Sequence, residues 1–154
     1  YSDPVVYLFM GGFIIALAME KWNLHRRIAL SIVNFTGTNA NGILFGFMLA
    51  TALLSTGISN TATTVMMLPI GLSVIGMLLK DNQAADQQEG ARNFALCMML
   101  GIAYAANIGG VATLIGTPPN SVFAGFIRNT YGFEVNFAKW MLLGVPFSAV
   151  MLLA

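Results

Sequence analysis

Two groups of uncharged, oxygen-bearing side chains interrupt the apolar stretches of this sequence. The first occupies positions 55–64, where seven of ten residues carry a hydroxyl or an amide, and the second occupies positions 107–120. Hydroxyl, amide and backbone carbonyl oxygens bind hard monovalent cations, and helix breaks at membrane depth can present them together. These residue types therefore indicate binding of an ion without a charged ligand.

The same two groups carry signals that interrupt helices. Gly109 and Gly110 permit backbone conformations that end a helix, and Thr117 followed by Pro118 is typical of a helix start. Asn60 or Thr61 is predicted to cap the helix after the first group. A broken helix frees carbonyl groups, which suit a cation, and N–H groups, which suit an anion. The Gly-Gly and Pro-Pro pairs alone are also typical of a packing kink, so the prediction depends on both groups together.

The composition places much of this chain in lipid. Of its 154 residues, 57% are hydrophobic and 8% are charged, whereas roughly 25% are charged in ordinary soluble domains. Seven basic and six acidic residues are too few to cover the surface of a soluble protein. The net charge of +1 supplies no field to hold nucleic acid. A single histidine and a single cysteine argue against a transition-metal cluster, and Cys97 is predicted to be a buried small hydrophobe.

No ionisable side chain falls in the middle of an apolar stretch. Between Pro4 and Ala154, every Asp, Glu, Lys, Arg and His lies in or beside a predicted loop. Proton relays and acid–base catalysis therefore have no candidate residues, and an enzyme is the least favoured class. A transporter is favoured, and two alternatives stay open: a channel lined by the polar tip, and a membrane scaffold whose polar side chains only satisfy helix ends.

The apolar stretches predict an all-α integral membrane protein. A first span runs from Pro4 to about Met19, and residues 20–35 form either a short amphipathic helix in the interface or a cytoplasmic loop. The arms 43–54 and 65–79 flank the first polar group, and each is too short to cross a hydrocarbon core of about 30 Å. The arms predict a re-entrant helical hairpin whose tip stops inside the membrane.

The second half of the chain is predicted to contain a discontinuous helix and the start of another span. Lys80–Arg92 is predicted to be a water-exposed loop, the broken helix covers about 92–128, and the next span occupies 137–154. Five basic residues lie on the side of the Lys21–Arg27 and Lys80–Arg92 loops and two on the other, which places both loops in the cytoplasm. Two full spans through residues 40–79 would give the same sidedness.

Ser59-Asn60-Thr61 resembles the Ser-Asn-Thr signature that the divalent anion/sodium symporter family carries at its first hairpin tip. Residues 108–120, which end in Gly-Thr-Pro-Pro-Asn, resemble the broken helix that follows in that family. Residues 13–30 (FIIALAMEKWNLHRRIAL) resemble the family's helix before the hairpin. The resemblance covers nearly all of the chain and points to the INDY-type bacterial carriers of dicarboxylates such as succinate.

The resemblance implies one half of an inverted-repeat transporter. The full protein would have two repeats, each with a re-entrant hairpin, and would work as a homodimer by an elevator motion in the cell inner (plasma) membrane. Residues 1–38 would form a scaffold helix and an interfacial arm, and residues 39–154 would belong to the transport domain. The second repeat is absent from this sequence, which also begins without Met and stops in an apolar run. We interpret the chain as the N-terminal-repeat portion of a longer one.

The resemblance also implies a site and a function. The function would be Na⁺-coupled symport of the C4 dicarboxylates succinate, fumarate and malate, or transport or exchange of a related anion such as citrate, sulfate or tartrate. Since an uncharged site attracts an anion weakly, bound Na⁺ is predicted to precede and strengthen anion binding. The implied substrate contacts are Asn60, Thr61, Thr117 and Pro118, and the implied Na⁺ ligands are Ser55, Ser59, Asn60, Gly109 and Gly110.

Overall fold

The computed structural model describes residues 4–24, 27, 31, 39–81 and 85–154. These described residues contain six helices and no strand, so the all-α prediction is confirmed. The helices are α1 (Pro4–Lys21), α2 (Ala40–Ser55), α3 (Asn60–Asp81), α4 (Ala85–Val111), α5 (Pro118–Tyr131) and α6 (Phe137–Leu153). Helix α1 extends two residues beyond the predicted first span. The predicted interfacial helix falls largely on positions outside the described residues.

Helices α2 and α3 are joined by only four residues, 56–59, where the sequence predicted a polar tip of ten. The chain turns immediately after Ser55, because the Gly57 and Ile58 N–H groups both donate to the Leu54 carbonyl. Ser59 then caps α3: its Oγ accepts from the Ala62 N–H at 3.3 Å, and its carbonyl accepts from the Thr63 N–H at 2.9 Å. The prediction that Asn60 or Thr61 is the cap is therefore wrong. Because Ser59 does the capping, the Asn60 side chain is available for other contacts.

The observed lengths of α2 and α3 can be compared with the predicted arms of the re-entrant hairpin. Helix α3 has 22 residues, about 33 Å at 1.5 Å per residue, because its first turn lies within the predicted tip and it continues to Asp81. Helix α2 has 16 residues, or about 24 Å. The apolar part of α3 covers only Asn60–Gly76, which, like α2, is shorter than a membrane-spanning helix, so the prediction that both arms are too short to cross a bilayer is not overturned. The depth at which the 56–59 turn lies stays a prediction.

Helix α4 begins within the segment that was predicted to be a loop. Residues 85–92 are helical, and most of them are good helix formers such as Ala, Gln, Glu and Arg. In the described part of the chain, one helix is long and apolar enough to cross a membrane, over Glu89–Val111. Cys97 is exposed on α4 beside Leu100 and Tyr104, so the prediction that it is buried is wrong.

A small apolar core holds α2, α3 and α4 together, with α4 in the centre. The core consists of Phe47, Ala50 and Leu54 from α2, Met67 and Ile75 from α3, and Met98 and Ile102 from α4. Further along α4 the backbone itself meets α2: a Cβ placed on Gly109 would lie 2.1 Å from the Ala52 carbonyl oxygen. This close approach is possible only with glycine at position 109.

The predicted interruption of the second helix is present, although it starts later than expected. Helix α4 continues through Gly109 and Gly110 to Val111, residues 112–117 are irregular, and α5 starts at Pro118 as predicted. The two glycines therefore do not end the helix. Instead they allow other parts of the chain to approach it closely. Gly132, at φ +66°, ends α5, and the Asn136 side chain caps α6 by accepting from the Lys139 N–H at 2.9 Å.

Replacement of Gly109 by alanine tests this packing. The new Cβ would clash with the backbone of Ala52, which cannot move aside as a flexible side chain can. We expect Gly109→Ala to lower the free energy of unfolding by about 3 kcal/mol, measured by denaturation of the purified full-length protein. Gly90→Ala is the matched control on the same helix, since nothing lies within 4 Å of its added Cβ. An equal loss in both variants would contradict the proposed contact.

Candidate functional site

Three helix ends meet where the two interruptions lie side by side. Ser55, the last residue of α2, is fully buried, and its Oγ lies 2.7 Å from Asn60 Oδ1 and 2.7 Å from the Ala106 carbonyl oxygen. Asn60 Nδ2 donates to Asn107 Oδ1 at 3.1 Å, and Asn107 Nδ2 donates to the Ala103 carbonyl at 3.0 Å. Hydrogen bonds thus connect α2, α3 and α4 at one place.

The Ser55 hydroxyl lies close to two acceptor oxygens but has only one proton to donate. The Ser55 hydroxyl has a single proton, and both oxygens within 2.7 Å of it are acceptors. The proton is either given to one of these oxygens or shared between both in a three-centre bond, so the two contacts cannot both be full hydrogen bonds. A cation bound among Ser55 Oγ, Asn60 Oδ1 and the Ala106 carbonyl would satisfy all three. This donor set, neutral and made only of oxygen, fits a hard monovalent ion such as Na⁺.

The two candidate glycines face different partners. A Cβ on Gly110 would lie 2.2 Å from Asn60 Oδ1, so the Asn60 amide rests directly on the bare backbone of α4. The Gly109 carbonyl accepts from the Ala112 N–H at 3.0 Å, and the Gly110 carbonyl accepts from Asn120 Nδ2 at 3.0 Å. The structure therefore brings Gly110 against Asn60, whereas the carbonyl that approaches Ser55 belongs to Ala106.

The loop 112–117 is tied to both interruptions by side chains. The Thr113 hydroxyl donates to the Thr56 carbonyl and accepts from the Gly116 N–H at 3.0 Å. Asn120 Nδ2 donates to the Thr113 carbonyl at 2.8 Å as well as to Gly110. A Cβ on Gly116 would lie 2.4 Å from the Gly110 carbonyl oxygen. The loop therefore folds back onto α4 at Gly110, the same residue that the Asn60 side chain contacts.

The remaining predicted site residues are not joined to this cluster by side-chain hydrogen bonds in the described part of the chain. The Ser59 hydroxyl caps α3, and Thr61 is exposed one residue after Asn60. Thr117 has the extended backbone of an N-cap (φ −148°, ψ 141°) without a side-chain cap hydrogen bond, and Pro118 is exposed.

The starts of α3 and α5 differ in what they offer an anion. At α5, Pro118 and Pro119 have no N–H, and the Asn120 N–H donates to the Thr117 carbonyl at 3.1 Å. At α3, Ser59 satisfies the N–H groups of Ala62 and Thr63, which leaves those of Asn60 and Thr61 unpaired among the described residues. The start of α3 therefore presents free N–H donors, and the proline start of α5 does not.

A separate cavity of about 410 Å³ lies between α2 and α6, on the Ala52 side of Gly109. Its walls are apolar apart from the hydroxyls of Thr56, Thr113 and Ser148. All three hydroxyls already donate to backbone carbonyls; that of Ser148, for example, donates to Ile108 at 2.7 Å. This cavity does not suit a doubly charged anion, because burial of unpaired carboxylates among apolar walls is costly.

Sequence reasoning missed several residues that build the site. Asn107 and Asn120 mark the two ends of the second polar group, and a polar side chain in an apolar helix was a signal that could have selected both. Thr113 lies within the same group. Nothing in the sequence indicated the Ala106 carbonyl, because the identity of a side chain does not show which partner its backbone carbonyl contacts.

Comparison with known proteins identifies the family of this chain. A family model described as a citrate transporter, CitMHS, matches residues 1–154. The chain belongs to this family. It is also 45% identical over 152 residues to the sodium-dependent dicarboxylate transporter SdcS of Staphylococcus aureus strain USA300, and 46% identical to SdcS of Staphylococcus saprophyticus. Each alignment covers 99% of this chain and 29% of the relative, so the chain spans less than a third of these relatives' length.

These matches confirm the resemblance given by the sequence motifs. The family and these relatives are named as transporters and not as enzymes, which agrees with the expectation drawn from the scarcity of ionisable groups. Because transporters act in membranes, the chain is part of a membrane protein, as its composition predicted.

Removal of the Asn120 side chain tests the tie between the loop and α4. Asn120→Ala would leave the Gly110 and Thr113 carbonyls without their side-chain donor, and we expect a loss of about 1–3 kcal/mol of unfolding free energy. The Gly116 N–H should exchange with deuterium faster in this variant. Asn129→Ala, at an exposed position of the same helix, should leave both quantities unchanged. Unaltered Gly116 exchange in Asn120→Ala would show that the loop is held by other contacts.

Proposed function

We propose that the full-length protein is a secondary active transporter that couples Na⁺ to the import of C4 dicarboxylates such as succinate. The observation that carries the proposal is the cluster of neutral oxygens with one shared proton at Ser55, Asn60 and Ala106. The names of the SdcS relatives support both the ion and the class of substrate. The described residues contain no group of His, Cys, Asp and Glu that could hold a metal ion, so neutral oxygens are the ligands on offer there.

In this proposal, Na⁺ binds Ser55 Oγ, Asn60 Oδ1 and the Ala106 carbonyl, and gives the tip a positive charge. Gly110 supports the ion indirectly, because its bare backbone sets the position of the Asn60 amide. Gly109 acts one step further away by holding α2 against α4. Ser59 orders the first turn of α3 and with it Asn60.

A substrate carboxylate is proposed to bind at the N-terminus of α3. The N–H groups of Asn60 and Thr61 and the exposed Thr61 hydroxyl would be its donors, at the positive end of a 22-residue helix. Thr117 and Pro118 would also line the substrate site at the start of α5, although the prolines there offer the anion no N–H donor. Sodium bound beside these donors would raise the affinity for the anion, a coupling of about 1–3 kcal/mol, or roughly 5–150-fold in affinity.

The larger movements belong to the same proposal. Residues 1–38 would form the scaffold and its interfacial arm, and residues 39–154 would move as part of the transport domain of a homodimer by an elevator motion. A re-entrant position of the 56–59 turn would place Ser55 and Asn60 where water and lipid are both excluded. The compact contact of α2, α3 and α4 supports their movement as one body.

Citrate is the second candidate substrate, because the matching family is described as a citrate transporter. The two candidates differ by one carboxylate. The contacts at Asn60 and Thr61 are neutral and accommodate any carboxylate, so they do not choose between them. A channel in which the tip lines a continuous pore is the other alternative.

Uptake by the full-length protein in sealed vesicles tests the proposal. We expect saturable uptake of labelled succinate in a Na⁺ gradient, a loss of at least tenfold when K⁺ replaces Na⁺, and competition by fumarate and malate. Strong competition by citrate with weak competition by succinate would favour the second candidate. Flux that does not saturate and ignores the Na⁺ gradient would favour the channel.

Variants at the tip should separate the two bound species. Asn60→Ala removes an ion ligand and its contact with Asn107, so we expect uptake to fall by at least tenfold. Thr61→Ala removes only an exposed hydroxyl, so it should raise the KM for succinate more than the half-saturating Na⁺ concentration. Asn129→Ala should transport as the wild type does. Normal uptake by Asn60→Ala would support the scaffold alternative.

Sidedness is proposed from the distribution of basic residues, with the Lys21–Arg27 and Lys80–Arg92 segments in the cytoplasm. Gly90 and Glu134 are both exposed and lie on opposite sides in this arrangement. In a Cys97→Ser background, an impermeant thiol reagent added to intact cells should label Glu134→Cys and spare Gly90→Cys. The reverse pattern would invert the proposed topology.

A further inference from the structure

Thr63 carries the one buried side-chain oxygen or nitrogen atom for which the described residues provide no hydrogen-bond partner. Its side chain is 1% exposed. Other threonines nearby satisfy their hydroxyls within their own helix: Thr51 donates to the Phe47 carbonyl at 2.6 Å, and Thr64 donates to the Asn60 carbonyl at 2.8 Å. A buried hydroxyl without a partner costs free energy, so the exception at Thr63 requires an explanation.

The position of Thr63 on α3 places it less than one turn, about 4.5 Å along the helix axis, beyond Asn60 of the oxygen cluster. Residues three and four apart share a helix face, so Thr63 lies on the same face as Asn60 before it and Met67 after it. Asn60 touches Gly110 and Asn107 of α4, and Met67 packs in the core with Met98 and Ile102 of α4. From this periodicity we infer that Thr63 faces α4 between Ile102 and Asn107, the stretch of α4 whose Ala106 carbonyl meets Ser55.

We propose that Thr63 Oγ1 is a fourth oxygen of the cation site, together with Ser55 Oγ, Asn60 Oδ1 and the Ala106 carbonyl. This inference rests on the proposed function and adds to it a ligand outside the Ser-Asn-Thr signature. A bound Na⁺ would give the Thr63 hydroxyl the partner that the described residues do not supply. The same ion relieves the shortage of protons around Ser55, so one ligand accounts for two independent irregularities of hydrogen bonding.

Thermal unfolding of the purified full-length protein at several Na⁺ concentrations tests this role without measuring transport. A ligand that binds only the folded state stabilises it by RT ln(1 + [L]/Kd), so the dependence of the unfolding temperature on Na⁺ gives the concentration that half-saturates the site. Thr63→Val keeps the shape of the side chain and removes the hydroxyl. We expect this variant to be as stable as the wild type, or more stable, when choline replaces Na⁺. Its half-saturating Na⁺ concentration should be raised roughly tenfold.

Two further variants keep the test decisive. Thr63→Ser retains the hydroxyl and should retain the Na⁺ dependence of the wild type, and Thr63→Ala replaces the valine variant if that one does not fold. Thr51→Val is the matched control, because Thr51 is equally buried but already bonded to Phe47. We expect Thr51→Val to lose stability equally with and without Na⁺, with an unchanged half-saturating concentration.

The possible failures are distinguishable. If Na⁺ stabilises the wild type and Thr63→Val equally, Thr63 is not a ligand, and the proposed transporter function is unaffected. If Na⁺ does not stabilise the wild type at all, the cation site itself is wrong, and the proposed function fails together with this inference. Loss of Na⁺ dependence in Thr63→Ser to the same extent as in Thr63→Val would assign the effect to packing and overturn the proposal.

Discussion

The arrangement of this chain depends on the close approach of the α4 backbone to its neighbours at two successive glycines. Consecutive residues of a helix point about 100° apart, so Gly109 and Gly110 expose bare backbone in two directions at once. One direction receives Ala52 of α2, and the other receives the Asn60 side chain of α3. Any side chain at either position would separate the three helices at the place where their polar ends meet. The apolar core below, from Phe47 to Ile102, holds the helices in register for this contact.

The proposed cation site would need no charged residue. A carboxylate at membrane depth is expensive to keep ionised, whereas Ser55, Asn60 and the Ala106 carbonyl bring neutral oxygens together near three helix ends. In the proposed function, a cation bound there would relieve the shortage of protons around Ser55. Because the cluster itself is neutral, the ion would supply the positive charge that an anion needs, and coupling between the two solutes would follow from electrostatics.

The two helix starts near the cluster have different chemistry, although both follow an interruption. Ser59 uses its hydroxyl and carbonyl on Ala62 and Thr63, so α3 begins with its first N–H donors free. Helix α5 begins with two prolines, which fix its direction but have no N–H. Its contribution is mechanical: Asn120 and Thr113 fasten the 112–117 loop to Gly110 and to the 56–59 turn. The 56–59 turn thus leaves N–H donors free for a ligand, whereas the 112–117 loop holds that turn in place.

The sequence by itself determined the class of protein, the presence of two interruptions, the restart of the helix at Pro118, and the family. These depend on composition and on neighbours along the chain, which a linear pattern records directly. Only the tertiary structure decided that Ser59 and not Asn60 caps α3. It also decided that the Asn60 amide lies against Gly110, and that the carbonyl next to the Ser55 hydroxyl belongs to Ala106. Ser55 and Ala106 are 51 positions apart, and Asn60 and Asn107 are 47 apart. Their contacts depend on the rotation of packed helices about their axes, and a backbone carbonyl looks the same in every residue type, so no motif could have indicated them.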